Sequence, residues 1–105
     1  MSLFLYALRA ARPELVSAGP TDAEAAVLAR HHAYLEDLRA QGAVVLAGRT
    51  ESADFATYGL VIVRAESEPE ARRVVSADPA VAERVLRADL SPLRDVVLGD
   101  VRGDE

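Results

Sequence analysis

The 105-residue chain is half hydrophobic, carries a formal net charge of −5 and contains only 5% aromatic residues. This length and composition predict a single small domain with its own core. The acidic balance, without a basic patch that interleaves with aromatics, argues against nucleic acid as a partner. The chain has no cysteine, which excludes disulfides and thiolate chemistry and favours a cytoplasmic location.

Neither a membrane span nor a signal peptide is expected. No apolar run approaches the ~20 residues that a membrane-spanning helix requires. The N-terminal run MSLFLYALRA has no cationic segment ahead of its apolar residues, as a signal peptide would have. We therefore expect residues 1–98 to form one domain, followed by an acidic C-terminal tail at residues 99–105.

The first predicted element is a strand from Leu3 to Arg9. Both of its alternating faces are apolar, which is typical of a central strand that is covered on both sides. A loop over residues 10–20, with two prolines and a glycine, is longer than most connections. Such a loop is either the rim of a site or a tolerated insertion.

A long amphipathic helix is predicted from Thr21 to Gln41. Thr21 is a good N-cap and Glu24 completes a capping box, while Gly42 stands where a C-terminal glycine belongs. At about 100° per residue, an apolar stripe forms from Val27, Leu28, Leu35 and Leu38. His31 falls inside this stripe, where an imidazole costs free energy unless its nitrogens find partners.

The second half of the chain alternates between strand and helix signals. The pattern predicts two strands joined as a hairpin, a helix that begins with a second capping box (Ser67 and Glu70), a further turn and a last strand. Their predicted ranges are 43–49, 58–65, 67–77, 80–84 and 85–90, with a loose extension of the last strand toward 96–98.

The order β-α-β-β-α-β predicts an α+β, ferredoxin-like fold: an antiparallel sheet with two helices on one face. The first three strands are nevertheless apolar on both faces. A second copy of the chain, packed sheet to sheet as a dimeric α+β barrel, would cover the remaining face. A homodimer is therefore predicted.

Two residues suggest acid–base chemistry. His31 lies on the core face of the first helix, and Asp78 ends the second helix before Pro79. Since both helices lie on the same sheet, a carboxylate beside an imidazole would set its tautomer and favour its charged form. The pair could transfer protons. The alternatives are a satisfied core histidine and an aspartate that only caps the next helical turn.

Three motifs resemble the YciI-like (YCII-related) family over nearly the whole chain. They are Arg30-His31-His32-Ala33-Tyr34-Leu35, the segment Val45-Leu46-Ala47-Gly48 after Gly42, and Ser76-Ala77-Asp78-Pro79, with Leu90-Ser91-Pro92-Leu93 closing the pattern. The three-residue step to Tyr34 places the family histidine on His31 and not on His32. The family aspartate falls on Asp78.

The resemblance implies a fold that dimerises through its sheet, with a His31–Asp78 active site. One group of relatives resembles dehydrochlorinases of chlorinated hydroxyquinols, and the wider fold includes muconolactone isomerase-like enzymes. This chain departs from many relatives by carrying Arg49 where they have proline and Arg84 where they have glycine. Both changes add charge and bulk, so the resemblance implies a reaction class and not a particular substrate.

Other candidate residues carry weaker signals. Tyr6 could contact a substrate from the first strand, although a core tyrosine bonded at its edge is the simpler interpretation. Arg49, like Arg9, could bind an anionic substrate. His32 and Glu36 could share a metal, but two ligands without a third predict none. No cofactor motif is present.

Two functions follow from these observations. The first is a cofactor-free enzyme in which His31 moves a proton on a small organic substrate, neutral or anionic, and Asp78 orients the imidazole. Elimination or isomerisation fits this pair best. The second is a non-catalytic dimeric module that binds a small ligand or a partner protein. In that case the pair is a buried tie between the helices.

Overall fold

The computed structural model describes residues 2–51 and 56–99. Four strands and four helices follow one another along these two stretches. In chain order they are β1 (Ser2–Ala10), α1 (Glu14–Ser17), α2 (Asp22–Ala40), β2 (Val44–Arg49), β3 (Gly59–Ala65), α3 (Glu68–Ala77), α4 (Pro79–Ala82) and β4 (Leu86–Pro92). Helix α1 lies within the loop that follows β1 and was not predicted.

The four strands form one antiparallel sheet in the order β2-β3-β1-β4. Strand β1 is central, as its two apolar faces predict. It pairs Tyr6 with Val61 of β3 on one side and with Leu90 of β4 on the other. The hairpin of β2 and β3 is present, with an irregularity in register between Val44 and Leu46. An α+β fold is thus confirmed.

One face of the sheet and the inner sides of the helices form the main core. From β1 this face contributes Phe4, Tyr6 and Leu8, all buried. They pack with alternate residues of β2 and β3 and with Ala71 and Val75 of α3. Because successive strand residues point to opposite faces, this pattern places the helix layer on the Tyr6 side.

The opposite face of the sheet is also apolar. Leu3, Leu5 and Ala7 of β1 lie there, beside Leu60 and Ile62 of β3, and all five are half-buried. On the edge strand β2, Leu46 pairs with Ile62 and remains 44% exposed. This face has no helix from the described residues packed against it.

Helix α2 begins and ends as its sequence predicts. Thr21 accepts a hydrogen bond from the Glu24 amide, and the Glu24 carboxylate accepts one from the Thr21 amide, so the capping box is complete. At the other end, Gly42 has φ +80° and the Ala43 amide donates to the Leu38 carbonyl. Glycine adopts this left-handed conformation at no steric cost, and it ends the helix.

Two details differ from what the sequence predicts: the cap of α3 and the end of β4. Ser67 caps α3 by accepting from the Glu70 amide, but the Glu70 carboxylate accepts from the Glu66 amide, so the reciprocal half of the box is missing. Strand β4 ends at Pro92, and residues 96–98 are exposed and not a strand. The reason is local: Pro92 lacks an N–H, and Asp95 turns the chain with φ +55°.

No helix within residues 2–51 and 56–99 is long and apolar enough to cross a membrane. The predicted acidic tail, apart from Gly99, lies outside the described residues. The single-domain boundary at residue 98 therefore stays a prediction.

Candidate functional site

His31 is positioned by the apolar stripe of α2. It lies one helical turn after Val27 and one turn before Leu35. Val27 belongs to a small cluster with Ala80 and Val85, whereas Leu35 packs against the main core. The imidazole therefore lies at the seam between two hydrophobic clusters. Its side chain keeps 15% exposure, which is more than the middle of a buried stripe would allow.

Asp78 occupies the joint between α3 and α4. It is the C-cap of α3 and the N-cap of α4, with an extended backbone at φ −65° and ψ 123°. This conformation follows from Pro79, because the residue before a proline avoids the helical region. The bend turns the Asp78 side chain inward, where it is 0% exposed. The capping role foreseen for Asp78 is real, but it accounts for only one of its contacts.

The structure brings His31 and Asp78 together. The Nδ1 atom of His31 lies 2.7 Å from Oδ1 and 2.8 Å from Oδ2 of Asp78. Both distances are in the range of charge-assisted hydrogen bonds. With the carboxylate as acceptor, Nδ1 is the protonated nitrogen and Nε2 carries the free lone pair, or both carry protons when the ring is charged. Asp78 thereby determines which nitrogen of His31 is available.

Two further donors complete the surroundings of the Asp78 carboxylate. The Tyr6 hydroxyl donates to Oδ2 over 3.1 Å, and the Ala80 amide donates to Oδ1 over 2.9 Å. Together with Nδ1 of His31, three donors converge on one carboxyl group with no exposed surface. A buried carboxylate is tolerated where such bonds replace its lost hydration. The aspartate is therefore held in one orientation from β1, α2 and its own helical turn.

The environment of Asp78 keeps the neighbouring tyrosines protonated. Burial raises the pKa of Tyr6 far above its usual value of 10, and the charge of Asp78 and its hydrogen bond raise it further. Burial also raises the pKa of Tyr34, with a smaller contribution from Asp78. The Tyr34 hydroxyl donates to the Val74 carbonyl over 2.6 Å and ties α2 to α3. Both hydroxyls thus act as hydrogen-bond donors across the neutral pH range.

This arrangement has the parts of an acid–base site. Within the described chain, Nε2 of His31 has no hydrogen-bond partner, while Nδ1 is occupied by Asp78. An imidazole held by one nitrogen can accept or donate a proton with the other. The structure also contains no group of three His, Asp or Glu side chains, among the residues it describes, that could hold a metal ion.

Of the other two candidates, Tyr6 contacts the pair through Asp78, whereas Arg49 forms no hydrogen bond or ion pair with His31 or Asp78. Arg49 is exposed at the end of β2 and forms no ion pair with a described residue. Tyr6 is 0% exposed, so its hydroxyl faces Asp78 and not an open pocket. Two surface depressions, of about 640 and 220 Å³, are lined by other residues and include neither His31 nor Asp78.

Two contacts near the site could not be predicted from the sequence: the hydrogen bond from Tyr6 to Asp78 and the ion pair of Arg12 with Glu24. The alternation of β1 places Tyr6 on the core face, and a buried hydroxyl needs a partner, but nothing in the sequence names Asp78 as that partner. Similarly, Arg12 forms a two-pronged ion pair with Glu24, at 3.0 and 2.6 Å. It joins the loop after β1 to the first turn of α2, and no periodicity connects a loop arginine with a helical glutamate.

The fold and the side chains define a class: a small α+β domain in which a buried aspartate holds a partly exposed histidine at the helix layer. Residues 4–89 match the family model of the YCII-related domain. The match covers well over half of the 105 residues, so the chain belongs to the YCII-related domain family. The resemblance that the three motifs carried is therefore confirmed.

A solved structure with a similar fold has a known activity. It is the 5-chloro-2-hydroxyhydroquinone dehydrochlorinase TftG from Burkholderia phenoliruptrix AC1100, in complex with 2,5-dihydroxybenzoquinone. The two proteins are 26% identical, with a TM-score of 0.63 over 88% of this chain and 93% of that one. Among curated protein sequences, none matches this chain.

Proposed function

We propose that this protein is a cofactor-free enzyme that transfers a proton on a small organic substrate, in an elimination or an isomerisation. His31 is the proposed acid–base catalyst and acts through Nε2. Asp78 is a positioning residue that holds Nδ1. Tyr6, which the sequence suggested as a substrate contact, is proposed instead to hold Asp78 in place.

In the proposed elimination, Nε2 of His31 takes a proton from the substrate while the leaving group departs with its bonding electron pair. The imidazolium that forms is stabilised by the Asp78 carboxylate at Nδ1. It then releases the proton to the leaving group or to water, which restores the neutral ring. In an isomerisation the same proton would return to a different atom of the substrate.

The observation that carries this proposal is that the two nitrogens of His31 have different environments. Nδ1 lies 2.7 Å from a fully buried carboxylate, while Nε2 has no partner in the described chain and the ring retains exposure. A purely structural histidine gains stability by satisfying both nitrogens. The similarity to TftG, a dehydrochlorinase, supports the same reaction class.

We further propose that two chains associate through the free face of the sheet, in the ferredoxin-like arrangement of a dimeric α+β barrel. This association is supported by an apolar patch made of the half-buried Leu3, Leu5 and Ile62 and the exposed Leu46. Covering a contiguous apolar face of this kind is favourable in free energy.

A cytoplasmic location stays a proposal from composition. Arg49 stays a proposed contact for an anionic substrate.

Turnover of 5-chloro-2-hydroxyhydroquinone, the compound in the name of TftG, is the first test. We expect the wild type to release chloride, and His31→Ala to reduce the rate at least 100-fold because the acid–base group is lost. His32→Ala is the matched control, since His32 is the exposed neighbour on α2, and it should retain activity.

Binding gives a second measure that does not require turnover. In NMR spectra, 2,5-dihydroxybenzoquinone should shift the His31 ring resonances and leave those of His32 unchanged. Chloride release equal in wild type and His31→Ala, together with no shift at His31, would refute the proposal.

The second candidate is the non-catalytic dimeric module, a binder of a small ligand or a partner protein. One observation favours it: neither of the two surface depressions reaches the His31–Asp78 pair. Here the pair is a tie between α2 and α4. Cutting it with His31→Ala would leave a buried carboxylate with one donor fewer and cost about 2 kcal/mol, with no activity to lose.

A further inference from the structure

Three arginines that form no ion pair with any described residue lie together at one end of the sheet. Arg9 stands near the end of β1, Arg87 near the start of β4, and Arg84 in the turn just before β4. None of the three forms an ion pair with a described residue. Four other arginines do pair with glutamates, namely Arg12, Arg30, Arg39 and Arg72. In a chain with net charge −5, a cluster of three arginines that lack an acidic partner among the described residues is unexpected.

Two of these arginines occupy opposite positions in the pairing of β1 with β4. Arg9 and Arg87 are register partners across β1 and β4, and partners of this kind have Cβ atoms about 4.5–5.5 Å apart on the same face. Like charges in these positions oppose folding. The Arg9 guanidinium lies over the Tyr58 ring, 4.9 Å from its centroid, which fixes its direction without neutralising its charge.

Arg84 adds a third cation at a backbone cost. Its φ is +62°, in the left-handed region that is sterically unfavourable for a residue with a Cβ atom. Glycine would adopt this conformation freely. The turn thus holds an arginine in the place where the backbone favours glycine.

The three side chains line one depression of about 640 Å³. Val81, Leu86 and Ala88 form part of its apolar wall, and Asp89 is the single acid among its lining residues. Arg9 and Arg87 also border the adjoining depression of about 220 Å³. Space of this size accommodates a small organic molecule.

We propose that this depression is a binding site for the carboxylate or phosphate group of a small molecule, separate from the His31–Asp78 pair. Guanidinium groups bind such oxyanions through paired hydrogen bonds. An anion between Arg9 and Arg87 would also remove their repulsion. Because no lining residue belongs to the His31–Asp78 pair, the site stands whether or not the proposed enzymatic function is correct.

The test measures the dissociation constants of inorganic phosphate and of acetate by NMR, at constant ionic strength, for the full chain. We expect the backbone amides of Arg9, Arg84 and Arg87 to shift on titration. Arg87→Gln should weaken binding about tenfold, which corresponds to the loss of one charge-assisted bond. Arg73→Gln is the matched control and should leave binding unchanged. Arg73 is exposed on α3 outside the depression, and it forms no ion pair within residues 2–51 and 56–99.

Tighter binding of phosphate than of acetate assigns the site to phosphoryl groups, and the reverse order assigns it to carboxylates; either result supports the proposal. Equal dissociation constants in the wild type, Arg87→Gln and Arg73→Gln would overturn it. It would also be overturned if Arg87→Gln, with no added anion, weakened self-association in sedimentation experiments. In that case a carboxylate from a second copy, not a small molecule, occupies the arginines.

Discussion

Replacing Tyr6 with phenylalanine removes the hydroxyl that donates a hydrogen bond to the buried carboxylate of Asp78, and it changes little else. The ring of Tyr6 packs in the core between β1 and α3, and phenylalanine keeps that packing. What is lost is the 3.1 Å hydrogen bond to Oδ2 of Asp78, in a place where neither side chain has exposed surface. Water therefore cannot replace the missing donor unless the core opens.

The expected cost follows from the charge of the acceptor. A hydrogen bond to a charged group contributes about 2 kcal/mol, against about 1 kcal/mol for a neutral pair. For a domain of 105 residues the entropy of unfolding near 60 °C is about 0.22 kcal/mol/K. Tyr6→Phe should therefore lower Tm by about 9 °C and remain folded, since domains of this size have about 5–15 kcal/mol of stability.

Tyr34→Phe is the matched control for Tyr6→Phe. Tyr34 is half-buried and donates to the neutral carbonyl of Val74, so its loss should cost about half as much. Urea unfolding followed by circular dichroism measures both variants. Combined with Asp78→Asn, Tyr6→Phe should show a coupling of about 1 kcal/mol, whereas Tyr34→Phe should add independently. Equal costs for the two tyrosine variants, or additivity of Tyr6→Phe with Asp78→Asn, would refute this reasoning.

Three other predictions concern pH and backbone strain. Since the pKa of Tyr6 is raised in the folded state, the stability of the wild type should fall as pH rises above 10, with a slope approaching 1.4 kcal/mol per pH unit; Tyr6→Phe should lack this slope. Arg84→Gly should be about 1 kcal/mol more stable than Arg84→Ala, because φ is +62°. The bond from Arg12 lowers the pKa of Glu24 from 4.5 to about 2, so the advantage of the wild type over Glu24→Gln should be present above pH 4.5 and disappear as pH falls toward 2.

Each of these predictions has a result that contradicts it. An unfolding free energy with the same slope above pH 10 in the wild type and Tyr6→Phe would show that Tyr6 ionises freely in the fold. Identical urea midpoints for Arg84→Gly and Arg84→Ala would show that the backbone at residue 84 is not strained. A difference between wild type and Glu24→Gln that persists unchanged at pH 2 would show that it does not depend on the ionised carboxylate.

The local features of α2 could be predicted because they depend on neighbours in the sequence. Thr21 and Glu24 are three residues apart and Gly42 follows the last turn directly, so the caps are decided within a few residues. The pairing of His31 with Asp78 needed one further step, namely that both helices lie over the same face of the sheet. The family resemblance placed the same two residues. Whether they are catalytic stays a prediction.

Other features depend on distances that no sequence pattern encodes. The alternation of β1 gives the face of Tyr6, but its partner stands 72 positions later, and only the packed helix layer brings them together. The apolar character of residues 96–98 favoured a longer last strand, yet the turn at Asp95 directs the chain away from the sheet. The burial of His31 is also lower than its place in the apolar stripe predicts. Such a stripe shows which side of the helix faces the core, but not how much of each side chain is buried.

The central place of β1 in the sheet has a consequence for how the molecule is made. Among the described strands, β1 pairs with β3 and β4, whose partner residues are synthesised more than 50 positions after their own partners in β1. Until then the hydrogen-bonding edges of β1 have no partner strand and its apolar faces are uncovered, which is the condition that recruits chaperones or leads to aggregation. An N-terminal fragment that stops before Leu86 would leave β1 with an unpaired edge. Expression of shortened versions is therefore expected to fail, although the His31–Asp78 pair lies within the first 78 residues.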